Sequence, residues 1–297
     1  MDLLQLRYFR MVARTENITR VAEELRVAQP SLSRTITRLE SELGVPLFDR
    51  HGRRLRLNAF GAAFLARVDR ALDELDGARR ELDDLAGLER GALAIGAENL
   101  KVVHHVLADF LQAHPEVHVR LFSGTAAQIS ARLAAGEIDL GVVSLPLDAP
   151  GLAGLELLDE EVLLAVSPSH RLAGRERVAV AELAAEPFIT TSPDYWSRTV
   201  LDRVFTRAGL RPNIVCEGDE PSAVRSLIAT GFGIGLLPAM ARYYAGPPVA
   251  WLHLDDVYCR RTLQLVWRTD AYLSLAARRF RELAAESFTP ERLGMPE

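Results

Sequence analysis

Residues Ile18 to Leu43, ITRVAEELRVAQPSLSRTITRLESEL, constrain this chain more than any other stretch. Leu32, Ile36, Leu39 and Leu43 recur at steps of four, three and four, the period of a helix that buries one stripe. The opposite stripe carries Ser31, Ser33, Arg34, Thr37 and Arg38, with no acid before Glu40. Pro30 suits the first turn of this helix, where its missing N–H would have no intrahelical partner, and Gly44 is placed to end it. Asn17 is placed to cap a preceding helix that buries Val21, Ala22 and Leu25. Upstream, Asp2 with Gln5 matches the capping box of a helix turning Leu6, Phe9 and Val12 inward.

Val45 to Leu57, VPLFDRHGRRLRL, sets Leu55 and Leu57 on one side and Arg54 and Arg56 on the other. It reads as a small hairpin with His51-Gly52 at its tip. Arg50, Arg53, Arg54 and Arg56 on such a wing either lie over a sugar-phosphate backbone, with a salt-sensitive attraction blind to sequence, or form a solvated cluster. The helical face favours the first reading. Serine and threonine hydroxyls reach phosphates, and arginine reaches a phosphate or a guanine edge. Residues 1–70 hold thirteen arginines against eight acids, while the whole chain carries a net charge of −5. The basic surplus is therefore concentrated in the head, and an acidic body behind it would orient the molecule on a polyanion.

VAEEL, then AQPSLSRTITRLESELGVPLFDR, a basic wing and the helix start Leu57-Asn58-Ala59-Phe60-Gly61 resemble the amino-terminal domain of LysR-type transcriptional regulators over about 60 residues. Ala28 stands where the family often has a small hydroxyl residue, with the loss of one hydroxyl contact near the turn. Asn58 replaces the usual threonine and caps equally well. The resemblance implies an α+β multidomain protein: a winged helix-turn-helix at 1–58, a linker and dimerisation helix at 59–88, and a two-lobed effector-binding domain at 91–297 similar to periplasmic solute-binding proteins. The residues expected at double-stranded operator DNA are Gln29, Pro30, Ser31, Ser33, Arg34, Thr37, Arg38, Arg50, Arg53, Arg54 and Arg56. The family further implies a small-molecule effector, a homotetramer built as a dimer of dimers, and contact with RNA polymerase if the protein activates.

Gly61, Phe64, Val68, Ala71, Leu75, Ala78, Leu82 and Leu85 form a heptad seam of more than three repeats. A helix of about 28 residues runs roughly 40 Å, too long for one small head to cover. The seam's partner is either the same helix of a second subunit or the chain's own later domain. Gly87 to Gly91 breaks the pattern as a hinge. Beyond it, apolar strands at Leu93–Ile95, Val117–Phe122 and Ile138–Val143 alternate with helices near Asn99–Ala113 and Thr125–Ala135, a βαβαβ order that implies a covered parallel sheet. After Glu161–Val166 the pattern restarts with PFITTS, a helix from Tyr195 to Ala208, a strand at Ile214–Glu217, a helix at Pro221–Thr230 and GFGIGLLP. A strand at Thr262–Trp267 and a helix at Ala271–Ser287 follow. Two halves joined by two passing strands make a clamshell, with lobe I at 91–161 and 268–297 and lobe II at 162–267.

In such sheets small molecules settle at the carboxyl ends of strands, beside helix amino termini. The candidate effector residues there are Glu98, Asn99, Gly124, Thr125, Ser144, Thr190, Thr191, Tyr195, Arg198, Asp219 and Glu220. Leu145-Pro146 belongs to the same edge. Glu98 departs from relatives that bind small carboxylates. It would repel an anion unless it points away or meets a cation, which tilts expectation toward a polar or positively charged effector.

No resident cofactor, metal or catalytic residue is expected. His114 and His118 cannot share a helical face across Pro115, Gly231-Phe232-Gly233-Ile234-Gly235 reads as a helix-to-strand turn, and His104-His105 has no nucleophile or orienting acid at a recognisable offset. Two cysteines, Cys216 and Cys259, are expected as buried free thiols, with a redox pair as the alternative. The start MDLLQLRYFR lacks a leader-like apolar run and no segment of 18 apolar residues occurs, so the expectation is cytoplasmic, with no membrane partner. The competing reading is an α/β enzyme or solute-binding module with a fused oligomerisation domain.

Overall fold

The computed structural model describes residues 1–51, 54–86, 91–144 and 150–289. It divides into two compact units, Met1–Leu85 and Ala86–Glu297. The expected hinge at Gly87–Gly91 falls largely outside the described residues, as do Gly52 of the wing tip, Arg53 and Leu145-Pro146.

In the first unit, α1 (Leu3–Thr15) starts at Asp2, whose carboxylate accepts the Gln5 N–H while the Gln5 side chain accepts the Asp2 N–H. Helix α2 (Ile18–Leu25) starts at Asn17, which accepts the Arg20 N–H, and ends at Arg26 in the left-handed region, φ 55°. Helix α3 (Gln29–Leu43) follows after three residues and stops at Gly44, φ 74°. Its N-cap is Ala28, which makes no side-chain capping bond, the local consequence of the departure noted above.

The wing is an antiparallel pair, β1 (Phe48–His51) and β2 (Arg54–Leu57). Two carboxylates fix it to the helices. Glu40 of α3 accepts the N–H groups of Leu47 and Phe48 at 2.8 and 3.3 Å, and Glu16 accepts the Leu57 N–H at 3.0 Å. Inside, Phe9 packs its ring 5.7 Å from Phe48 and 5.2 Å from Phe64, among Val12, Val21, Leu32, Ile36, Leu39 and Leu47.

Helix α4 (Ala59–Leu85) begins at Asn58, which accepts the Gly61 N–H at 2.9 Å and donates to the Pro46 carbonyl at 3.0 Å. Phe64, Val68 and Leu72 of α4 belong to the head's own core. A ladder of ion pairs, Arg7–Asp76, Arg10–Asp73 and Arg14–Asp69, runs along α1 and α4. The first half of the heptad seam thus packs within its own head, a use not foreseen above. It does so because Leu72 widens the stripe toward α1. The second half, Leu75, Leu82 and Leu85, stays exposed in the single chain.

In the second unit, β3 (Ala92–Ala97), a 3-10 turn at Leu100–Val102, α5 (His104–Ala113), β4 (His118–Ser123), α6 (Ala126–Ala134) and β5 (Leu140–Val143) realise the βαβαβ order, with β3 parallel to both β4 and β5. Strand β6 (Leu152–Val166) is long enough to serve two sheets. Its first part pairs with β12 (Arg260–Arg268), and its last part with β10 (Gly235–Pro238) and β11 (Ala250–Leu254). A short β7 (Arg177–Val178) closes that edge beside β11. In lobe II, β8 (Pro187–Thr191) and β9 (Asn213–Gly218) lie parallel and frame α7 (Trp196–Arg207), α8 (Pro221–Ala229) follows β9, and α9 (Leu275–Ser287) returns to cover lobe I.

The expected lobe boundary needs one correction. Strand β12 pairs with β5 and with the lobe I part of β6, so residues 260–267 sit in the lobe I sheet instead of lobe II. A nine-residue partner for the first half of β6 is what carries the chain back across. The Gly231–Gly235 stretch is the turn expected. Gly231 has φ 84°, and a Cβ at Gly233 or Gly235 would meet the carbonyl oxygens of Pro187 or Ile189 at 2.5 and 2.7 Å.

Candidate nucleic-acid interface and ligand cleft

Burying Leu32, Ile36 and Leu39 leaves the other face of α3 outward. Gln29, Pro30, Ser31, Arg34, Thr37 and Arg38 are exposed and Ser33 is half-buried. Arg34 donates from Nε to the Pro30 carbonyl at 3.3 Å, and among the described residues it has no acidic partner. Arg38 pairs with Glu42 at 3.2 Å, and Arg56 with Glu16 at 2.7 Å; their side chains nevertheless remain 75% and 65% exposed. Exposed pairs of this kind are worth at most about 1 kcal/mol and yield readily to a phosphate. The side chains of Arg50, Arg53 and Arg54 lie outside the described residues. A helix with hydroxyls and a guanidinium on its outward face, beside a two-stranded wing, has the shape and chemistry for a major groove.

The second site lies between the lobes of the second unit. A cavity of about 90 Å3 is bounded by Asn99, Lys101, Thr190, Thr191, Ser197 and Tyr244, with Arg225 and Arg261 in its wall. No carboxylate lines it among the described residues. Arg225 donates to the backbone carbonyls of Ala241, Tyr244 and Pro247 at 2.8–3.0 Å, and burial pushes its guanidinium below the ordinary value. The Tyr244 hydroxyl is buried without a hydrogen-bond partner, and burial raises its pKa. A buried orphan hydroxyl costs about 1–3 kcal/mol unless something in the cavity satisfies it.

Of the candidate effector residues, three reach this cavity: Asn99, Thr190 and Thr191. Asn99 also caps the 3-10 turn by accepting the Lys101 N–H, and the Thr191 hydroxyl bonds that of Ser197 at 2.5 Å. Glu98 and Ser144 are buried beside the cavity and bonded to each other. The others have different duties here. Thr125 forms the capping box of α6 with Gln128, against which Gly124 is packed. Tyr195 donates to the Asp219 carbonyl, Asp219 takes the Ser192 hydroxyl, and Arg198 pairs with Asp202 and Glu217. Glu220 is exposed just before α8.

Glu98 lies in the field of a cation, Arg261, one of the two conditions under which it would not repel an anion. Burial raises its pKa, opposed by hydrogen bonds from Ser144 and by Arg261. Arg261 in turn pairs with Glu160 at 2.7 Å, with both side chains almost fully buried, and donates to the Ser144 hydroxyl at 3.2 Å. Lys101, Tyr244, Arg225 and Arg261 were not foreseen. Lys101 is the chain's only lysine and lies two residues from Asn99, the one signal that pointed here; the others come from distant segments.

Elsewhere, His114 ends α5 while His118 lies on β4, and Cys216 is exposed, contrary to expectation, because it lies on the outer strand β9. Cys259 is buried, donates to the Val162 carbonyl at 3.0 Å and has its thiol pushed up to about 12 by burial. No helix among the described residues is long and apolar enough to cross a membrane.

Comparison with known proteins adds independent findings. The profile of the bacterial regulatory helix-turn-helix protein, lysR family, matches residues 3–62, and that of the LysR substrate binding domain matches residues 86–289. The uncharacterized HTH-type transcriptional regulator YybE of Bacillus subtilis is 31% identical over 97% of this chain and 100% of its own length. The HTH-type transcriptional regulator SsuR of Burkholderia cenocepacia is 32% identical over 81% of this chain and 80% of its own length. Among solved structures, CbnR, a LysR family transcriptional regulator, matches with a TM-score of 0.67 and 25% identity, covering 97% of this chain and all of that one. Full-length CbnR complexed with its target DNA matches with a TM-score of 0.65 at the same identity and coverage.

Proposed function

The chain belongs to the LysR family of DNA-binding transcriptional regulators with an effector-binding domain, and on that premise we propose that the outward face of α3 reads operator DNA while the cleft between the lobes takes a small oxyanion-bearing effector. One observation carries the effector half. The cavity has a lysine and two arginines in its wall, an unsatisfied tyrosine hydroxyl, and no acid among the described residues that line it. A carboxylate or similar anion facing Lys101, with a neighbouring acceptor for Tyr244, would meet both needs. Such a ligand stabilises the protein by mass action. Melting of the purified chain against a library of small metabolites is therefore expected to yield hits among organic anions. The upward shift for such a hit is expected to shrink in Lys101→Met and in Tyr244→Phe, while the ligand-free melting point stays put in the first and rises in the second, which removes an unsatisfied buried hydroxyl. Hits confined to cations, or shifts untouched by both substitutions, refute the effector assignment.

On the DNA side, Arg34 is proposed as a base-reading residue and Arg53 as a phosphate contact. Arg34→Ala is expected to lose about 1–3 kcal/mol of preference for operator over random duplex, whereas Arg53→Ala weakens both alike and flattens the salt dependence. Gel shifts on the fragment upstream of the protein's own gene measure this. Equal loss on both duplexes for Arg34→Ala would reassign that side chain to the backbone. The exposed Leu75, Leu82 and Leu85 support pairing of α4 with a second copy, so that two heads would address two half-sites; the dimer of dimers and a contact with RNA polymerase extend the same reading. Effector binding would act by changing how the lobes, and hence the subunits, pack.

A further inference from the structure

Three cations border the cavity between the lobes, and their surroundings differ. Arg261 is matched by Glu160 at 2.7 Å, and Lys101 of lobe I is exposed. Arg225, on α8 of lobe II, is half-buried, and among the described residues no carboxylate pairs with it. Its partners are backbone carbonyls of the segment between β10 and β11: Nε donates to Pro247 at 3.0 Å, and Nη1 donates to Ala241 and to Tyr244 at 2.8 Å each. Burial lowers its pKa, and no neighbouring acid opposes that shift.

A guanidinium presents five N–H donors in one rigid plane. Three carbonyls account for the hydrogen on Nε and the two on Nη1, which leaves the pair on Nη2. The plane is held from its faces as well. A Cβ at Gly246 would lie 3.3 Å from Cζ, Nε and Nη1, so the backbone packs closely on the guanidinium, and the Trp251 ring centre is 5.6 Å from Cζ. Carbonyl dipoles satisfy hydrogen bonds without cancelling a unit charge, and a partly buried cation without a counter-ion favours an anion that can reach it.

We propose that Arg225 is the fixed anchor of an anion site in this cavity, its Nη2 donating to a carboxylate oxygen of the ligand while Lys101 adds charge from the opposite lobe. With Nε and Nη1 engaged, the usual two-nitrogen grip on a carboxylate is closed, and a single nitrogen holds the ligand. The anchor is already in place before the ligand arrives, so binding costs little reordering there. The assignment rests on reading the cleft as the effector site and names the side chain that selects for negative charge.

Acetate and acetamide share a shape and differ in charge, so the difference between them reads the site. At about 100 mM, sodium acetate is expected to raise the effector-domain melting point of the full chain by about 2 °C over acetamide with sodium chloride at equal ionic strength. That difference is expected to vanish in Arg225→Gln, to return in part in Arg225→Lys, and to keep at least half its size in Lys101→Met. No difference in wild type, a full difference in Arg225→Gln, or its loss in Lys101→Met overturns the proposal. So does a loss in Arg225→Gln that Arg225→Lys leaves unrestored, because the side chain then serves only to hold the segment.

If neither Arg225 variant folds, the wild-type chain supplies the measurement. The Arg225 Nε–H resonance is expected to move saturably with acetate and to ignore acetamide, while that of Arg261 stays still. An Arg225 signal blind to acetate overturns the assignment. Organic-anion hits in the metabolite screen together with an acetate response intact in Arg225→Gln would sink this assignment alone, whereas hits confined to cations sink the effector reading itself.

Discussion

Replacing Arg261 by alanine is expected to destabilise the second unit by about 3–5 kcal/mol, the cost of leaving a buried charge without its partner. Arg261 and Glu160 have side chains 2% and 1% exposed and meet at 2.7 Å. Removing the guanidinium strands Glu160, takes the donor from the Ser144 hydroxyl and removes a positive charge that favours the ionised form of Glu98. Two carboxylates would then share a dry junction, where like charges cannot both stay ionised. The compensated change is informative beside it. Arg261→Met combined with Glu160→Gln removes both charges and is expected to recover much of the loss, since an apolar or neutral replacement for a buried ion pair is often tolerated. Urea unfolding of the full chain, followed through the effector-domain transition, measures both. A loss under about 1 kcal/mol for Arg261→Ala would mean that water enters the junction and that the network does not hold the lobes.

Gly61→Ala is expected to damage the head by about 3 kcal/mol, the upper end for forcing one methyl into a packed site. A Cβ there would lie 2.1 Å from the Leu47 carbonyl oxygen and 2.5 Å from a Leu57 methyl. The leucine methyl can rotate away. The carbonyl cannot, because it accepts the Asn58 N–H at 3.1 Å while the Leu47 N–H is held by Glu40 at 2.8 Å. Relief therefore requires α4 to move off the wing strand, disturbing the Asn58 cap and the packing of Phe64 on Phe9. The measurement is head melting together with operator affinity, both expected to fall while the effector-domain transition is unchanged. A head that melts like wild type would show that α4 and the wing can separate freely.

Local rules carried most of the fold. Asp2, Asn17, Pro30, Gly44, Asn58 and Thr125 all stand where cap chemistry within four residues places them, so the helices they bound were legible. Apolar runs such as ALAIGA and LGVV likewise announced buried parallel strands. What escaped depends on distant partners. The first half of β6, LAGLELLDEE, has no clean alternation and becomes a strand because β12 lies alongside it. Strands β7 and β11 are two and five residues long, too short for a period to register. Glu40 and Glu16 look like surface acids until the wing folds back onto them.

The cleft between the lobes shows the same division. Asn99, Thr190 and Thr191 reach the cavity from strand ends, which are predictable places, whereas Arg225 and Tyr244 enter its wall from segments with no motif. Glu98, singled out as a departure, is buried just after β3. The influence of Arg261 on it was not legible, because Arg261 is remote in sequence.

The ion-pair ladder between α1 and α4 has an electrical consequence. It commits three arginines of α1 to carboxylates of α4, and residues 71–85 add two arginines but six acids, lowering the surplus of five positive charges in residues 1–70 to one for the unit as a whole. Cations cluster near the wing, at the start of α4, while acids accumulate toward the end of a helix about 40 Å long. The folded unit is thus nearly neutral in total and strongly polarised along one axis. Near a duplex it experiences a torque more than a pull, and it arrives with the wing leading.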